Sequence, residues 1–99
     1  MTYTAQQIIT DINSHMRQHS GTNADWYVGI ATDPKQRLFN DHNVSEKNDS
    51  WIYRRATSSD VARSVEKAYL DAGCTGGPGG GDDHTDYVYA YRKTRSTRQ

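Results

Sequence analysis

The chain holds one cysteine, two prolines and one phenylalanine, and no excess of charge of either sign. With Cys74 alone, an intramolecular disulfide and a cysteine-based metal site are both excluded, which suits a reducing cytoplasm. Its neighbours Thr75, Gly76 and Gly77 supply no base or cation to activate a thiol, so Cys74 is expected to be inert. Twelve Lys plus Arg balance twelve Asp plus Glu, which argues against tight, unselective binding to a phosphate backbone. No apolar run approaches membrane-spanning length, and the start MTYTAQQIIT lacks the cationic and apolar regions of a signal peptide. The expectation is a soluble cytoplasmic protein with no membrane partner.

What is present is a small amphipathic inventory. Ninety-nine residues, 33% of them hydrophobic, fit one domain over 1–99 with a small core. Seven Tyr and two Trp add side chains that both pack and contact ligands. Thr4 and Gln7 form a capping-box pattern, and Ile8, Ile9, Ile12 and Met16 recur at helical spacing on one face, predicting a helix from about Thr4 to His19. In Trp26 to Thr32, Trp26, Val28 and Ile30 alternate with Tyr27, Gly29 and Ala31, the period of a strand with one buried face and a small, Tyr-bearing face left available. Asp33 as N-cap and Pro34 as first helical residue open a short helix running to about His42.

The polar stretch from Asn43 to Ser50 reads as a loop, and WIYRR (Trp51 to Arg55) as a second strand. A cap in Thr57 to Asp60 precedes an amphipathic helix marked by Val61, Ala62, Val65, Ala68, Tyr69 and Ala72, which stops at Gly73. CTGGPGGGDD opens a flexible glycine-rich loop over 73–86, and YVYAYR (Tyr87 to Arg92) is a third strand with Val88 and Ala90 toward the core. Arg92, Lys93, Arg95 and Arg98 make a basic tail over 92–99, read as a frayed end or a nucleic-acid arm. The order predicts an α+β fold, a small three-stranded and mainly antiparallel sheet flanked by three helices segregated on a face.

Tyr27-Val28-Gly29, seven intervening residues and then Arg37-Leu38 resemble the second half of the GIY-YIG nuclease signature. Ala62, Val65, Glu66 and Tyr69-Leu70 resemble the later helix of that superfamily, whose glutamate ligates a divalent metal. The matched region runs from about Trp26 to Leu70. The resemblance implies metal-dependent endonucleolytic cleavage of phosphodiester bonds, with Tyr27 beside the attacking water, Arg37 on the phosphate and Glu66 on Mg2+ or Mn2+. Two departures stand out. A helix occupies the place of the family's first strand, GIY, so the expectation is that the C-terminal strand YVYAY replaces it in space, as in a circular permutation, with Tyr89 standing in for the missing tyrosine. Relatives often carry His or Tyr four residues after the arginine; here that position is Asp41, and His42 follows about 100° further round an α-helix.

Each residue has a plainer role to weigh. Arg37 suits an exposed helix position paired with an acid and Glu66 one paired with Arg63, and Tyr27, Tyr87, Tyr89 and Tyr91 suit an exposed sheet face, or a stacking platform. Asp82, Asp83, His84 and Asp86 fit loop solubility better than a calcium loop. His15 and His19 lie one helical turn apart without a third metal ligand. The rival to an endonuclease acting on nucleic acid is a non-catalytic module whose cleft holds a nucleotide, a nucleic acid or a protein, a second copy forming a homodimer included.

Overall fold

A computed structural model describes residues 1–19, 21–77 and 84–99. Helix α1 (Ala5–His19) starts with the anticipated reciprocal cap: the Gln7 N–H donates to Thr4 Oγ1 at 3.2 Å and the Thr4 N–H to Gln7 Oε1 at 2.9 Å. Helix α2 (Ser59–Asp71) is capped by Ser58, whose Oγ accepts from the Val61 N–H at 3.1 Å, and it ends where Gly73 adopts φ +109°, a left-handed conformation that glycine takes without Cβ strain.

Three strands, β1 (Trp26–Ala31), β2 (Trp51–Arg55) and β3 (Tyr87–Arg92), form an antiparallel sheet in the order β1-β3-β2. The α+β class expected from the sequence is therefore the observed one. The last strand of the chain is the central one, and its register sets Tyr89 opposite Gly29 on one side and opposite Tyr53 on the other. Because side chains alternate across a strand, this register sorts the sheet into two chemically distinct faces.

One face carries Trp26, Val28, Ile30, Ile52, Val88 and Ala90, which close against Ile8, Ile12 and Met16 of α1 and Ala62, Val65 and Tyr69 of α2. The other carries Tyr27, Ala31, Tyr89 and Tyr91, covered by Leu38 and Val44. Two expectations are corrected here. The Tyr-bearing face of β1 is buried rather than available, and the helical segments lie on both faces. Three large tyrosine rings on adjacent strands present apolar area that the 36–44 segment removes from water by folding back over it. Tyr27, Tyr89 and Tyr91 are therefore no open stacking platform.

That covering segment begins as planned and then changes pitch. Asp33 Oδ1 accepts from the Gln36 N–H at 3.2 Å, the N-cap bond anticipated for it. From Gln36 to Asp41 the backbone widens into a π-helix, in which the His42 N–H reaches the Arg37 carbonyl, five residues back, at 2.9 Å. Asn43, at φ +55°, then turns the chain away.

The loop expected over 73–86 is tied down where it starts. Thr75 runs beside the edge of β1, donating its N–H to the Trp26 carbonyl and accepting from the Val28 N–H, each at 2.9 Å. Asp86, near the loop's end, ion-pairs with Arg55 at 3.0 Å, while the glycine run 79–81 and the candidates Asp82 and Asp83 lie outside the described residues. The tail, read as frayed, is anchored in irregular structure: the Arg98 N–H donates to the His42 carbonyl at 2.7 Å and Asn43 Nδ2 donates to the Ser96 carbonyl at 2.8 Å.

Ile12 is fully buried between the helices and the sheet. Ile12→Ala is expected to lower unfolding free energy by about 2–4 kcal/mol with an unchanged m-value in urea, because the cavity left behind adds to the lost transfer energy.

Candidate functional site

At the outer edge of β1 the sheet, the π-helix and α2 border a cleft of about 730 Å3. Tyr27, Arg37, His42, Glu66 and Tyr89 all line it, so every site residue anticipated from the sequence borders one space. Helix α2 packs on the face of the sheet opposite the π-helix, yet Glu66 lines the same cleft as Arg37 because the cleft wraps around the strand edge at Gly29 to Thr32.

The tyrosine at the centre is seated by the glycine facing it. A Cβ built on Gly29 would stand 2.6 Å from both Cζ and Oη of Tyr89, closer than real contacts allow, so the bare Cα provides the space in which the ring lies. Tyr89 is 1% exposed, and its hydroxyl lies 2.8 Å from His42 Nε2. His42 is 4% exposed, and its Nδ1 lies 2.6 Å from the Arg98 carbonyl. A carbonyl oxygen only accepts, so Nδ1 carries the proton and Nε2 is left to accept from the Tyr89 hydroxyl. The Tyr91 hydroxyl donates to the same Arg98 carbonyl at 3.1 Å, and the Tyr27 ring packs against the imidazole at a tilt of 52°, with centroids 4.6 Å apart.

Electrostatics agree with this tautomer. Burial lowers the His42 pKa from its ordinary value, reinforced by Arg37 and opposed by the Arg98 carbonyl and Asp41, so the neutral ring with a free lone pair is favoured. Burial likewise pushes Tyr89 up to about 12, against a downward pull from its hydrogen bond with Arg37. Tyr89 is thus a neutral phenol at ordinary pH, and its hydroxyl links the imidazole to the guanidinium. Arg37 is raised first by that hydrogen bond with Tyr89, and it also meets Asp41 at 3.5 Å on the half-exposed surface. Its ion pair with Asp41 is of the exposed kind that contributes little to stability, so the bond to Tyr89 is the firmer of its two tethers.

Glu66 differs from the surface residue it resembled in the sequence. Its pKa is raised by burial, and the charge that acts to lower it is Arg63, three residues back, whose own ion pair is with Asp60 at 3.9 Å. Among the described residues no group of three or more His, Cys, Asp or Glu could hold a metal, so any cation here would rest on one carboxylate. A desolvated carboxylate in a cleft wall has the hard oxygen donors that Mg2+ or Mn2+ take, with the remaining positions left to water and a bound ligand.

The π-helix accounts for the displaced histidine. In an α-helix His42 would lie well round from the face of Arg37; an i→i+5 turn winds less per residue and brings the fifth residue near where a fourth would fall. The groups the sequence concealed are the supports: Tyr91, which read as one more strand tyrosine, and the Arg98 carbonyl, a backbone atom that carries no side-chain signal. Gln36 and Thr85 also line the cleft and had no motif to reveal them. Comparison with protein-family models, with curated proteins and with solved structures finds no match for this chain.

Two measurements check this arrangement. His42 should titrate below 6.5 when its ring resonances are followed by NMR, and Tyr89→Phe should shift those resonances while leaving the fold intact. Because folding disfavours the protonated ring, His42 leaves stability undiminished above its ordinary value of 6.5 and subtracts from it as pH falls from there through the lower folded value. Gly29→Ala should lose about 1–3 kcal/mol of stability by overpacking against Tyr89 and move the same His42 resonances.

Proposed function

We propose that this chain is a metal-dependent endonuclease of GIY-YIG type that hydrolyses phosphodiester bonds in nucleic acid. The observation that carries the proposal is the meeting of Tyr27, Arg37, His42, Glu66 and Tyr89 around one cleft, although they come from distant stretches of chain. The central position of β3 supports the permuted arrangement, since it sets Tyr89 directly opposite Gly29 of the Tyr27-Val28-Gly29 segment. The lone, buried Cys74 accords with a reducing cytoplasm as its place of action.

In this reading Arg37 binds a nonbridging phosphate oxygen through its planar fork of donors. A water beside Tyr89 gives its proton to the phenol oxygen as the phenol proton passes to His42 Nε2, so neither tyrosinate nor free hydroxide accumulates. The water oxygen forms a bond to phosphorus as the bond to the leaving oxygen breaks. The Arg98 carbonyl stabilises the imidazolium that results, through its bond from Nδ1. Tyr27 packs on His42 and keeps its ring in line. Glu66 would hold Mg2+ or Mn2+, which supplies Lewis-acid stabilisation of phosphate charge when bound.

Incubating the protein with supercoiled plasmid and with short single strands, in Mg2+, in Mn2+ or in EDTA, tests this. Cleavage is expected with either metal and not with EDTA. Glu66→Gln should reduce it at least a hundredfold, and Tyr89→Phe by about a hundredfold to ten-thousandfold, the range for removing a proton-transfer group. Rate should persist as pH falls through 6.5 and decline only where His42 takes up its proton. No cleavage under any metal, together with a thermal shift caused by nucleotides, would replace the enzyme with a binding module on the same cleft.

A further inference from the structure

We infer that Asn43 is a positioning residue for the proton-accepting nitrogen of His42, and that it acts by clasping the C-terminal tail whose carbonyl holds the imidazole. Its effect on rate rests on the endonuclease reading of the cleft, whereas the ring state it maintains can be observed without any reaction. The backbone of Asn43 has a task that asparagine and glycine share. At φ +55° it closes the covering segment in a left-handed turn, and the Val44 N–H then reaches the Leu38 carbonyl, six residues back, at 2.9 Å. His42 and Val44 on either side are buried, whereas Asn43 is exposed and does not line the cleft.

The side chain has a task that glycine cannot perform. Asn43 Nδ2 donates to the Ser96 carbonyl at 2.8 Å, and because a carbonyl only accepts, this contact also fixes which way the amide points. Beside it, residues 42 and 98 exchange two bonds. The Arg98 N–H donates to the His42 carbonyl at 2.7 Å, and His42 Nδ1 donates back to the Arg98 carbonyl at 2.6 Å. The tail presents these groups from a turn closed on itself. The Thr97 hydroxyl accepts from the Thr94 N–H at 2.9 Å and donates to the Thr94 carbonyl at 3.1 Å, while the Ser96 N–H donates to Thr94 Oγ1 at 3.2 Å. Ser96 and Arg98 are thus carried on one small unit.

Among the described residues, the Asn43 bond is the one hydrogen bond between this turn and the covering segment that does not pass through His42 itself. Without it the Arg98 carbonyl is held only through the ring it has to orient and by the Tyr91 hydroxyl at 3.1 Å. A ring released from that acceptor no longer keeps its proton on Nδ1. With the proton on Nε2 instead, the imidazole meets the Tyr89 hydroxyl as a donor and cannot accept from it. Asparagine joins the two tasks in one residue: it tolerates the left-handed turn, as glycine and aspartate do, and it alone of these three carries a side-chain donor.

The test follows the ring nitrogens of His42 by NMR near neutral pH, in the full chain carrying nitrogen-labelled histidine, with the His42 signals assigned by their loss in His42→Gln. The native chain should show the form protonated at Nδ1. Asn43→Gly keeps the left-handed turn and removes the clasp, and Asn43→Asp keeps the size but sets a carboxylate against the Ser96 carbonyl. In both, the form protonated at Nε2 should become visible while circular dichroism stays native. Cleavage of supercoiled plasmid in Mg2+ should fall about tenfold in kcat with KM unchanged, the scale of one hydrogen bond. A ring that keeps its native tautomer in Asn43→Gly overturns the inference, whether or not the rate falls, since a lower rate alone would mark a structural role. If that variant does not fold, Asn43→Asp decides in the same way. Cleavage by the native chain with an unmoved tautomer sinks the positioning alone; a moved tautomer with no cleavage by the native chain in either metal sinks the nuclease reading alone.

Discussion

The ring at position 89 and a side chain at position 29 cannot occupy the same space, and the site is arranged around that exclusion. Because the two positions are direct cross-strand partners, glycine on the edge strand lets the tyrosine of the central strand lie flat across it. Its hydroxyl then reaches His42 on the far side of the sheet's covering segment, and Arg37 from the same segment reaches that hydroxyl in turn. A buried phenol is costly without partners. Here the partners are the functional candidates themselves, so the bond that satisfies the core also aligns imidazole, phenol and guanidinium.

The covering segment shows how one residue too many is accommodated. Between Arg37 and His42 the spacing is wrong for two side chains on one face of an α-helix, and the chain responds by changing pitch rather than by losing the contact. Such widening forfeits the regular i→i+4 bonds over a turn, and the loss is offset because Leu38 is fully buried against the tyrosines while His42 is bonded at both nitrogens. The C-terminal tail completes this. Its Arg98 carbonyl fixes the tautomer, so a stretch without regular structure determines which nitrogen can take a proton.

Much of the scaffold could be read from local chemistry. The reciprocal Thr4–Gln7 cap, the Asp33 and Ser58 caps, the three strands and the outward turn at Gly73 depend on neighbours in sequence, and each lies within a residue or two of where the pattern put it. The burial of Tyr27, Tyr89 and Tyr91 could not be read this way, because alternation tells which residues share a face and not what covers it. For the site, Tyr27, Arg37, His42, Glu66 and Tyr89 were legible as residue types at suggestive spacings. Their supports were not: a π-turn arises from tertiary packing, and a backbone carbonyl from residue 98 is invisible to any motif.

Zero net charge then becomes informative about mechanism rather than an objection to it. A protein that drew its ligand by long-range attraction would carry a surplus of cations, and this one has none and pairs Arg37, Arg54, Arg55 and Arg63 with acids along the surface. What remains near the cleft is a guanidinium whose acid partner is weakly held, a carboxylate desolvated by burial, and a neutral imidazole. In the proposed reading each would serve a local task, contact with one phosphate, one cation or one proton, and none would depend on a field that salt would screen.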